Sequence, residues 1–159
     1  MLYGIIDMGS NSVRLSIFRE ENGVITQVIN KKVMAGLAGY VKKGRLTQAG
    51  IEKACFALET LREVMDNFQV DGAGIFATAS LRNICNQDEV LNQMKRVTGI
   101  TPEIISGKEE ARLDFVGATR FYPMERGLLA DIGGGSTELV WFDAEGAKEL
   151  ISLPVGSLS

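Results

Sequence analysis

Asp131-Ile-Gly-Gly-Gly-Ser-Thr137 and Asp7-Met-Gly-Ser-Asn-Ser12 are two segments of the chain built on one pattern. Each follows a short apolar run, begins with an aspartate, turns through glycine and hydroxyl residues, and leads into a second apolar or alternating segment. This pattern predicts a tight turn between two strands. It differs from the Walker A and GxGxxG motifs, because in those motifs the glycine-rich turn leads into a helix.

The residue types in both turns suit an anion such as phosphate. Glycine lets the backbone approach a ligand closely, the exposed N–H groups of such turns form anion-binding concavities, and an aspartate offers oxygen ligands to magnesium. The structural alternative is a pair of ordinary hairpin turns, with Asp131 closing an Asx turn. The candidate phosphate-binding residues of the turns are Gly9, Ser10, Asn11, Ser12, Gly133, Gly134, Gly135, Ser136 and Thr137, and the candidate metal-binding aspartates are Asp7 and Asp131.

The hydrophobic periodicity around the turns predicts an α/β fold. Three strands at the N-terminus are followed by alternating helices and strands and then by a hairpin, which together give a mixed sheet with helices packed on it. Thr47 is predicted to cap a helix that runs to about Met65, and capping boxes at Asn86-x-x-Glu89 and Ser106-x-x-Glu109 are predicted to begin two more helices. The predicted strands cover residues 2–6, 13–18, 24–33, 74–78, 102–105, 127–132, 139–142 and 148–153.

The composition excludes several classes of site. The chain of 159 residues has no histidine, so acid–base chemistry falls to a carboxylate. Its net charge of −3 gives no basic field for nucleic acid, and two cysteines, Cys55 and Cys85, are too few for a disulfide framework or a cysteine zinc site. The N-terminus lacks the basic region of a signal peptide and no apolar run reaches the length of a membrane span. We therefore expect a cytoplasmic protein that binds neither membrane nor nucleic acid.

Four blocks of sequence resemble the exopolyphosphatase/guanosine pentaphosphate phosphohydrolase (Ppx/GppA) family, in the order that the family has them. They are Asp7-Met-Gly-Ser-Asn-Ser-Val-Arg-Leu15, Ala77-Thr-Ala-Ser-Leu-Arg82, Ile105-Ser-Gly-Lys-Glu-Glu-Ala-Arg112 and Asp131-Ile-Gly-Gly-Gly-Ser-Thr-Glu-Leu139. Ser152-Leu-Pro-Val-Gly-Ser157 resembles the segment that leaves the family's first domain. The resemblance implies an actin-like, ribonuclease H-like lobe. It implies that residues 1–159 are the N-terminal lobe of a Ppx/GppA-type phosphohydrolase, with the second lobe absent from this chain.

The resemblance also implies roles for individual residues. Glu110 corresponds to the base for the attacking water, Asp131 and Glu138 to ligands of Mg²⁺, and Arg82 to a phosphate contact. Glu110 differs from its neighbour, because Glu109 stands three residues after the capping serine and is the natural reciprocal cap.

Each of these residues also has a simpler interpretation. Glu110 is then a solvated carboxylate favoured by the helix dipole, and Glu138 is a strand residue that faces outward. Arg82 pairs with Asp88 or Glu89 on the following helix.

The resemblance implies magnesium-dependent hydrolysis of the terminal phosphate of inorganic polyphosphate, with guanosine pentaphosphate as the rival substrate. Two other classes remain open, a small-molecule kinase of the actin-like superfamily and a non-catalytic sensor that binds polyphosphate. The chain departs from the family near Gly36–Leu46, where a Gly-Glu-Gly-type loop is replaced by a segment carrying Lys42, Lys43 and Arg45. A solvated loop is the simpler interpretation of those cations.

An actin-like active site lies between two lobes. We therefore expect the 159-residue chain by itself to hydrolyse little or nothing, because electrostatic stabilisation is weak in a site open to water. We also expect an apolar surface where a second lobe packs, which allows a homodimer.

Overall fold

The computed structural model describes residues 1–122 and 124–158, and the chain divides into two compact units. Unit 1 is Met1–Ile104 and unit 2 is Ile105–Ser159. None of the described helices is long and apolar enough to cross a membrane. The predicted α/β architecture is confirmed, with the difference that the last three strands form a sheet of their own in unit 2.

Unit 1 contains a five-stranded sheet that begins with an antiparallel meander of β1 (Leu2–Met8), β2 (Ser12–Glu21) and β3 (Val24–Met34). A 3-10 helix at Leu37–Tyr40 and a small hairpin of β4 (Val41–Lys42) and β5 (Arg45–Leu46) follow, and neither was predicted. β6 (Gly72–Ala77) adds parallel to β1, and β7 (Glu103–Ile104) adds parallel to β6. The strand order is therefore β3-β2-β1-β6-β7.

Helix α1 (Gln48–Phe68) supplies much of the core of unit 1 and extends three residues beyond its predicted end. Thr47 caps it as predicted, since its Oγ1 accepts a hydrogen bond from the backbone N–H of Gly50 at 3.3 Å. The sheet face beneath α1 is fully buried, and each such aliphatic side chain stabilises the fold by about 1.5–3 kcal/mol. The buried strand residues on this face are Ile6, Met8, Val13, Leu15 and Ile17.

Two further helices of unit 1 are α2 (Ala79–Arg82) and α3 (Gln87–Thr98). The predicted capping box of α3 is wrong, because the side chain of Asn86 does not cap the helix. Its Oδ1 accepts a hydrogen bond from Leu46 N at 3.0 Å and its Nδ2 donates one to Leu46 O at 3.1 Å. Glu89 pairs with Arg45 at 2.6 Å. The side-chain amide of Asn86 is thus bonded to the backbone of β5, which is distant in sequence, and does not cap α3.

Unit 2 consists of α4 (Gly107–Phe121) and an antiparallel meander of β8 (Gly127–Ile132), β9 (Thr137–Asp143) and β10 (Gly146–Leu153), in the order β10-β9-β8. Helix α4 packs on the face of this sheet that carries Val140 and Phe142. The rings of Phe115 and Phe142 meet there with their centroids 5.2 Å apart and their planes tilted by 47°.

The two meanders share one register around their first turn. In unit 1 Asp7 lies opposite Arg14, and in unit 2 Asp131 lies opposite Glu138 at the corresponding position. Asp7 and Arg14 lie on the sheet face opposite the one that α1 covers, whereas Asp131 and Glu138 lie on the face that α4 covers. The face of unit 2 that points away from α4 is therefore the counterpart of the face that α1 buries in unit 1. That face is apolar and exposed, since 41% to 68% of the residue surface is accessible to solvent at Leu128, Ile132, Trp141, Ile151 and Leu153.

Candidate phosphate and metal site

The first glycine turn, residues 9–12, is held through its carbonyl groups. Gly9 N donates a hydrogen bond to Ser12 O at 3.0 Å, and the amides of residues 35, 36 and 38 donate to the carbonyls of Ser10 and Asn11 at 2.8–3.1 Å. Within residues 1–122 and 124–158, the backbone amides of Ser10 and Asn11 donate no hydrogen bond. The turn therefore keeps its acceptors engaged and its apical donors available.

The second glycine turn, residues 133–136, repeats this arrangement in unit 2. Gly133 N donates to Ser136 O at 2.9 Å, and the amides of residues 157 and 158 donate to the carbonyls of Gly133 and Gly134 at 2.9 and 3.0 Å. The apical amides of Gly134 and Gly135 donate no hydrogen bond to any part of the chain that the structure describes. In both turns, then, two adjacent backbone N–H groups make no hydrogen bond within the described residues, and anion-binding turns expose N–H groups in this way.

Thr137 is the last of the predicted phosphate-binding residues of this turn. Its hydroxyl donates a hydrogen bond to Val155 O at 2.6 Å, so its proton is engaged within the protein. The threonine side chain thus secures the segment that follows β10.

The predicted metal-binding pair of unit 2 lies at the mouth of the second turn. Asp131 and Glu138 are directly opposite each other in the β8–β9 ladder, so their side chains lie on the same face of the sheet. Asp131 is exposed, whereas Glu138 is only 1% exposed, which shows that its interpretation as an outward-facing strand residue is wrong. Its carboxylate accepts hydrogen bonds from two hydroxyl groups, Ser136 Oγ at 3.2 Å and Ser152 Oγ at 2.7 Å.

This donor set fits magnesium. Within the described residues, no group of three or more histidine, cysteine, aspartate or glutamate side chains is arranged around a metal position. Two carboxylates leave the other coordination positions to water and phosphate oxygens, and Mg²⁺ is usually bound in this way.

Glu110 lies in the first turn of α4, in the same unit as the carboxylate pair. Ser106 caps this helix as predicted, since its Oγ accepts from Glu109 N at 3.1 Å. The prediction that Glu109 forms the reciprocal cap is wrong, because its carboxylate instead binds Arg112 through two hydrogen bonds of 2.7 and 2.9 Å. The hydrogen bond from Arg112 also lowers the pKa of Glu109. The carboxylate of Glu109 is thus engaged by Arg112 of its own helix and not by the helix end.

The remaining predicted residues, Asp7 and Arg82, lie in unit 1. Helix α2 carries Arg82 and follows β6, whose last residue pairs with Met8. Ser80 Oγ donates to Met8 O at 2.6 Å and so fixes α2 to the end of β1, next to the first turn. The residue opposite Asp7 in the ladder is the cation Arg14, whereas the residue opposite Asp131 is a second carboxylate, Glu138. This difference in charge favours unit 2 for the metal.

The cationic segment that departs from the family is the β4–β5 hairpin. Lys42 and Lys43 are exposed, and Lys43 adopts a left-handed conformation with φ of 51° at the turn. Arg45 is engaged with Glu89, as described above. The arrangement fits a solvated hairpin.

Two residues that support the second turn were not predicted as part of the site. Ser152 contacts Glu138 from β10, and Gly156 lies directly behind the turn, where an added Cβ would be 2.5 Å from Gly134 C. The block Ser152–Ser157 was visible in the sequence, but its contact with the turn depends on strand register.

Comparison with known proteins identifies relatives over nearly the whole chain. A model of the Ppx/GppA phosphatase family matches residues 16–159. The guanosine-5'-triphosphate,3'-diphosphate pyrophosphatase of Aeromonas hydrophila is 37% identical over 160 residues, which are 99% of this chain and 32% of that protein.

Solved structures agree with this match. The crystal structure of an exopolyphosphatase from Cytophaga hutchinsonii has a TM-score of 0.92 and 30% identity, over 98% of this chain and 51% of that one. The Aquifex aeolicus member of the Ppx/GppA family has a TM-score of 0.84 and 32% identity, over 98% of this chain and 52% of that one. More distant structures share the fold alone.

The chain spans about a third of the length of the curated relatives and about half of the length of the solved ones. The predicted actin-like α/β fold is confirmed by these structural matches. On the extent of the family match and the order of the blocks that carry it, the chain belongs to the Ppx/GppA phosphatase family.

Proposed function

We propose that this chain carries the phosphate- and metal-binding groups of a magnesium-dependent hydrolase that removes the terminal phosphate of inorganic polyphosphate. The observation that carries the proposal is the grouping of residues in unit 2. The apical amides of Gly134 and Gly135, the Asp131–Glu138 pair and Glu110 belong to one compact unit of the chain.

The topology of unit 2 supports the role of Glu110. Helix α4 and β8 are joined by a short connection, and elements joined in this way usually run in opposite directions. Since β9 is antiparallel to β8, it runs in the same direction as α4. Phe115 contacts Phe142, and both Glu110 and Glu138 precede that contact in their elements. The glutamates therefore belong to the same end of the unit.

Each group then has a distinct task in the hydrolysis. The apical amides donate hydrogen bonds to phosphate oxygens on which negative charge develops. Glu110 accepts a proton from the attacking water, or orients that water in line with the terminal phosphoryl group. The carboxylates of Asp131 and Glu138 would hold Mg²⁺, which when bound offsets the charge of the phosphate oxygens.

Guanosine pentaphosphate is the second candidate substrate, and a specific observation favours it. The relative from Aeromonas hydrophila is named for action on guanosine-5'-triphosphate,3'-diphosphate, whereas the structural match from Cytophaga hutchinsonii is named an exopolyphosphatase. Both substrates end in a phosphoanhydride-linked phosphate, so the turns and the carboxylate pair serve either one.

We also propose that residues 1–159 are the N-terminal lobe of a two-lobed phosphohydrolase. The greater length of the relatives supports this assignment. If the natural protein is longer than this chain, we expect its turnover to exceed that of residues 1–159 assayed alone.

The experiment that tests the function is phosphate release by the protein at its natural length, with magnesium, from polyphosphate and from guanosine pentaphosphate. Glu110→Gln should lower turnover by about 10²–10⁴-fold, the usual contribution of a general base, with polyphosphate binding retained. Glu109→Gln is the matched control, because its carboxylate pairs with Arg112, and we expect nearly wild-type turnover. Equal turnover in the Glu110→Gln and wild-type proteins would refute the assignment of the base.

A further inference from the structure

The side chain of Glu138 is buried, and each of its two carboxylate oxygens accepts a hydrogen bond. Ser152 Oγ donates to its Oε1 at 2.7 Å, and Ser136 Oγ donates to its Oε2 at 3.2 Å. Ser136 is 3% exposed, so one of the two donors is nearly as buried as the acceptor. Burying a charged carboxylate is costly unless it is hydrogen-bonded, and hydroxyl groups that donate to a carboxylate form some of the stronger hydrogen bonds in proteins.

The sheet register explains how the two serines reach the carboxylate. Ser152 lies opposite Glu138 in the β9–β10 ladder, just as Asp131 lies opposite it in the β8–β9 ladder. Asp131, Glu138 and Ser152 therefore form a row across three neighbouring strands, with all three side chains on one face of the sheet. Ser136 approaches from the turn, two residues before Glu138.

We propose that Ser136 and Ser152 clamp the Glu138 carboxylate in the orientation that binds a divalent cation together with Asp131, an inference that rests on the function proposed above. Ser152 is the positioning residue, because it makes the shorter hydrogen bond and comes from a strand that contributes no cation ligand to the proposed site. Each hydroxyl uses its one proton on one carboxylate oxygen. A carboxylate oxygen has two lone pairs, so a single hydroxyl donor does not use its whole acceptor capacity.

The clamp has a measurable consequence for metal affinity. Without the Ser152 hydroxyl, the Glu138 carboxylate loses its 2.7 Å hydrogen bond and is less restrained in orientation, so binding a cation must also order the carboxylate. Groups that orient a metal ligand in this way typically change metal affinity by about 10–100-fold when removed.

The test is Mn²⁺ binding by the purified chain without substrate, measured as free Mn²⁺ by electron paramagnetic resonance. Ser152→Ala should weaken Mn²⁺ binding by about 10–100-fold. Ser152→Cys keeps a similar volume with a weak donor and should behave like Ser152→Ala, whereas Ser152→Thr retains the hydroxyl and should restore nearly wild-type affinity. Ser16→Ala is the matched control, because Ser16 is a strand serine of unit 1 whose hydroxyl bonds Gln27. It should bind Mn²⁺ as the wild type does.

A hydroxyl with only a structural role would lower the melting temperature of Ser152→Ala and leave the Mn²⁺ affinity of the folded protein unchanged. That result, in either folded Ser152→Ala or folded Ser152→Cys, overturns the clamp. Equal weakening by Ser152→Thr and Ser152→Ala also overturns it, because the hydroxyl would then not be the cause. Asp131→Asn separates the two proposals. If it abolishes Mn²⁺ binding while Ser152→Ala leaves the Mn²⁺ affinity unchanged, the clamp fails and the metal site stands. If the wild-type chain binds no Mn²⁺, both the site and the clamp fail.

Discussion

Gly156 lies so close to the second glycine turn that a single methyl group there should displace the turn. A Cβ added at Gly156 would be 2.5 Å from Gly134 C and 2.6 Å from both Gly134 O and Gly135 N, whereas ordinary contacts begin at 3.4 Å. Gly156→Ala therefore requires a movement of about 0.9 Å between the two segments. The atoms in contact are backbone atoms, so no flexible side chain can move aside to relieve the clash.

The movement should also stretch the two hydrogen bonds that tie residues 157 and 158 to the turn. Overpacking of this kind costs about 1–3 kcal/mol, and for a chain of this size about 2 kcal/mol corresponds to a decrease in melting temperature of about 4–8 °C. Phosphate bound at the turn should lose affinity as well, because the apical amides move with the backbone.

The assay is thermal unfolding followed by circular dichroism, with and without added pyrophosphate, and Gly117→Ala is the matched control. An added Cβ at Gly117 meets no atom within 4 Å, and the residue lies inside α4 of the same unit. Replacing a helical glycine with alanine should raise stability by about 0.5–1 kcal/mol. Equal melting temperatures and equal pyrophosphate stabilisation in Gly156→Ala and the wild type would refute the support of the turn by residues 156–158.

Further predictions concern the two cysteines and the exposed face of unit 2. Cys85 is exposed and should react with a thiol reagent within minutes at pH 8. Cys55 should react only on unfolding, because it is buried and because its burial and the nearby Glu59 and Glu52 raise its pKa. Equal reaction rates of the two cysteines would contradict the packing of α1. The homodimer that the sequence allows should form through the exposed apolar face of unit 2, because large exposed apolar patches mark protein–protein contacts. Light scattering should therefore show less self-association for the double variant Leu128→Thr/Trp141→Thr, and an unchanged mass distribution would exclude this face.

The sequence was sufficient for features that depend on neighbouring residues. Strand β8 has the predicted bounds, and Thr47 and Ser106 cap their helices, because a cap needs only the residues of the next turn. The glycine turns were likewise predicted from local composition, since the required backbone conformation selects glycine and hydroxyl residues.

Features that depend on distant partners were missed or predicted incorrectly. Asn86 has the residue type and spacing of a helix cap, but the backbone of Leu46 occupies both ends of its amide. Glu138 was open to interpretation as a surface residue, because neither the burial of its strand face nor Ser152 on the adjacent strand can be derived from local spacing. Strand register, which is set by the packing of whole faces, determines both features.

A titration of the ¹⁵N-labelled chain with pyrophosphate and magnesium, followed by amide chemical shifts, tests most directly whether the two glycine turns bind phosphate through their apical amides. The amides of Ser10, Asn11, Gly134 and Gly135 should show the largest shift changes, and Gly156→Ala should reduce the changes at residues 134 and 135 but not at residues 10 and 11. Saturable shift changes confined to other parts of the chain, or none at these four amides, would show that the turns do not bind phosphate in this way.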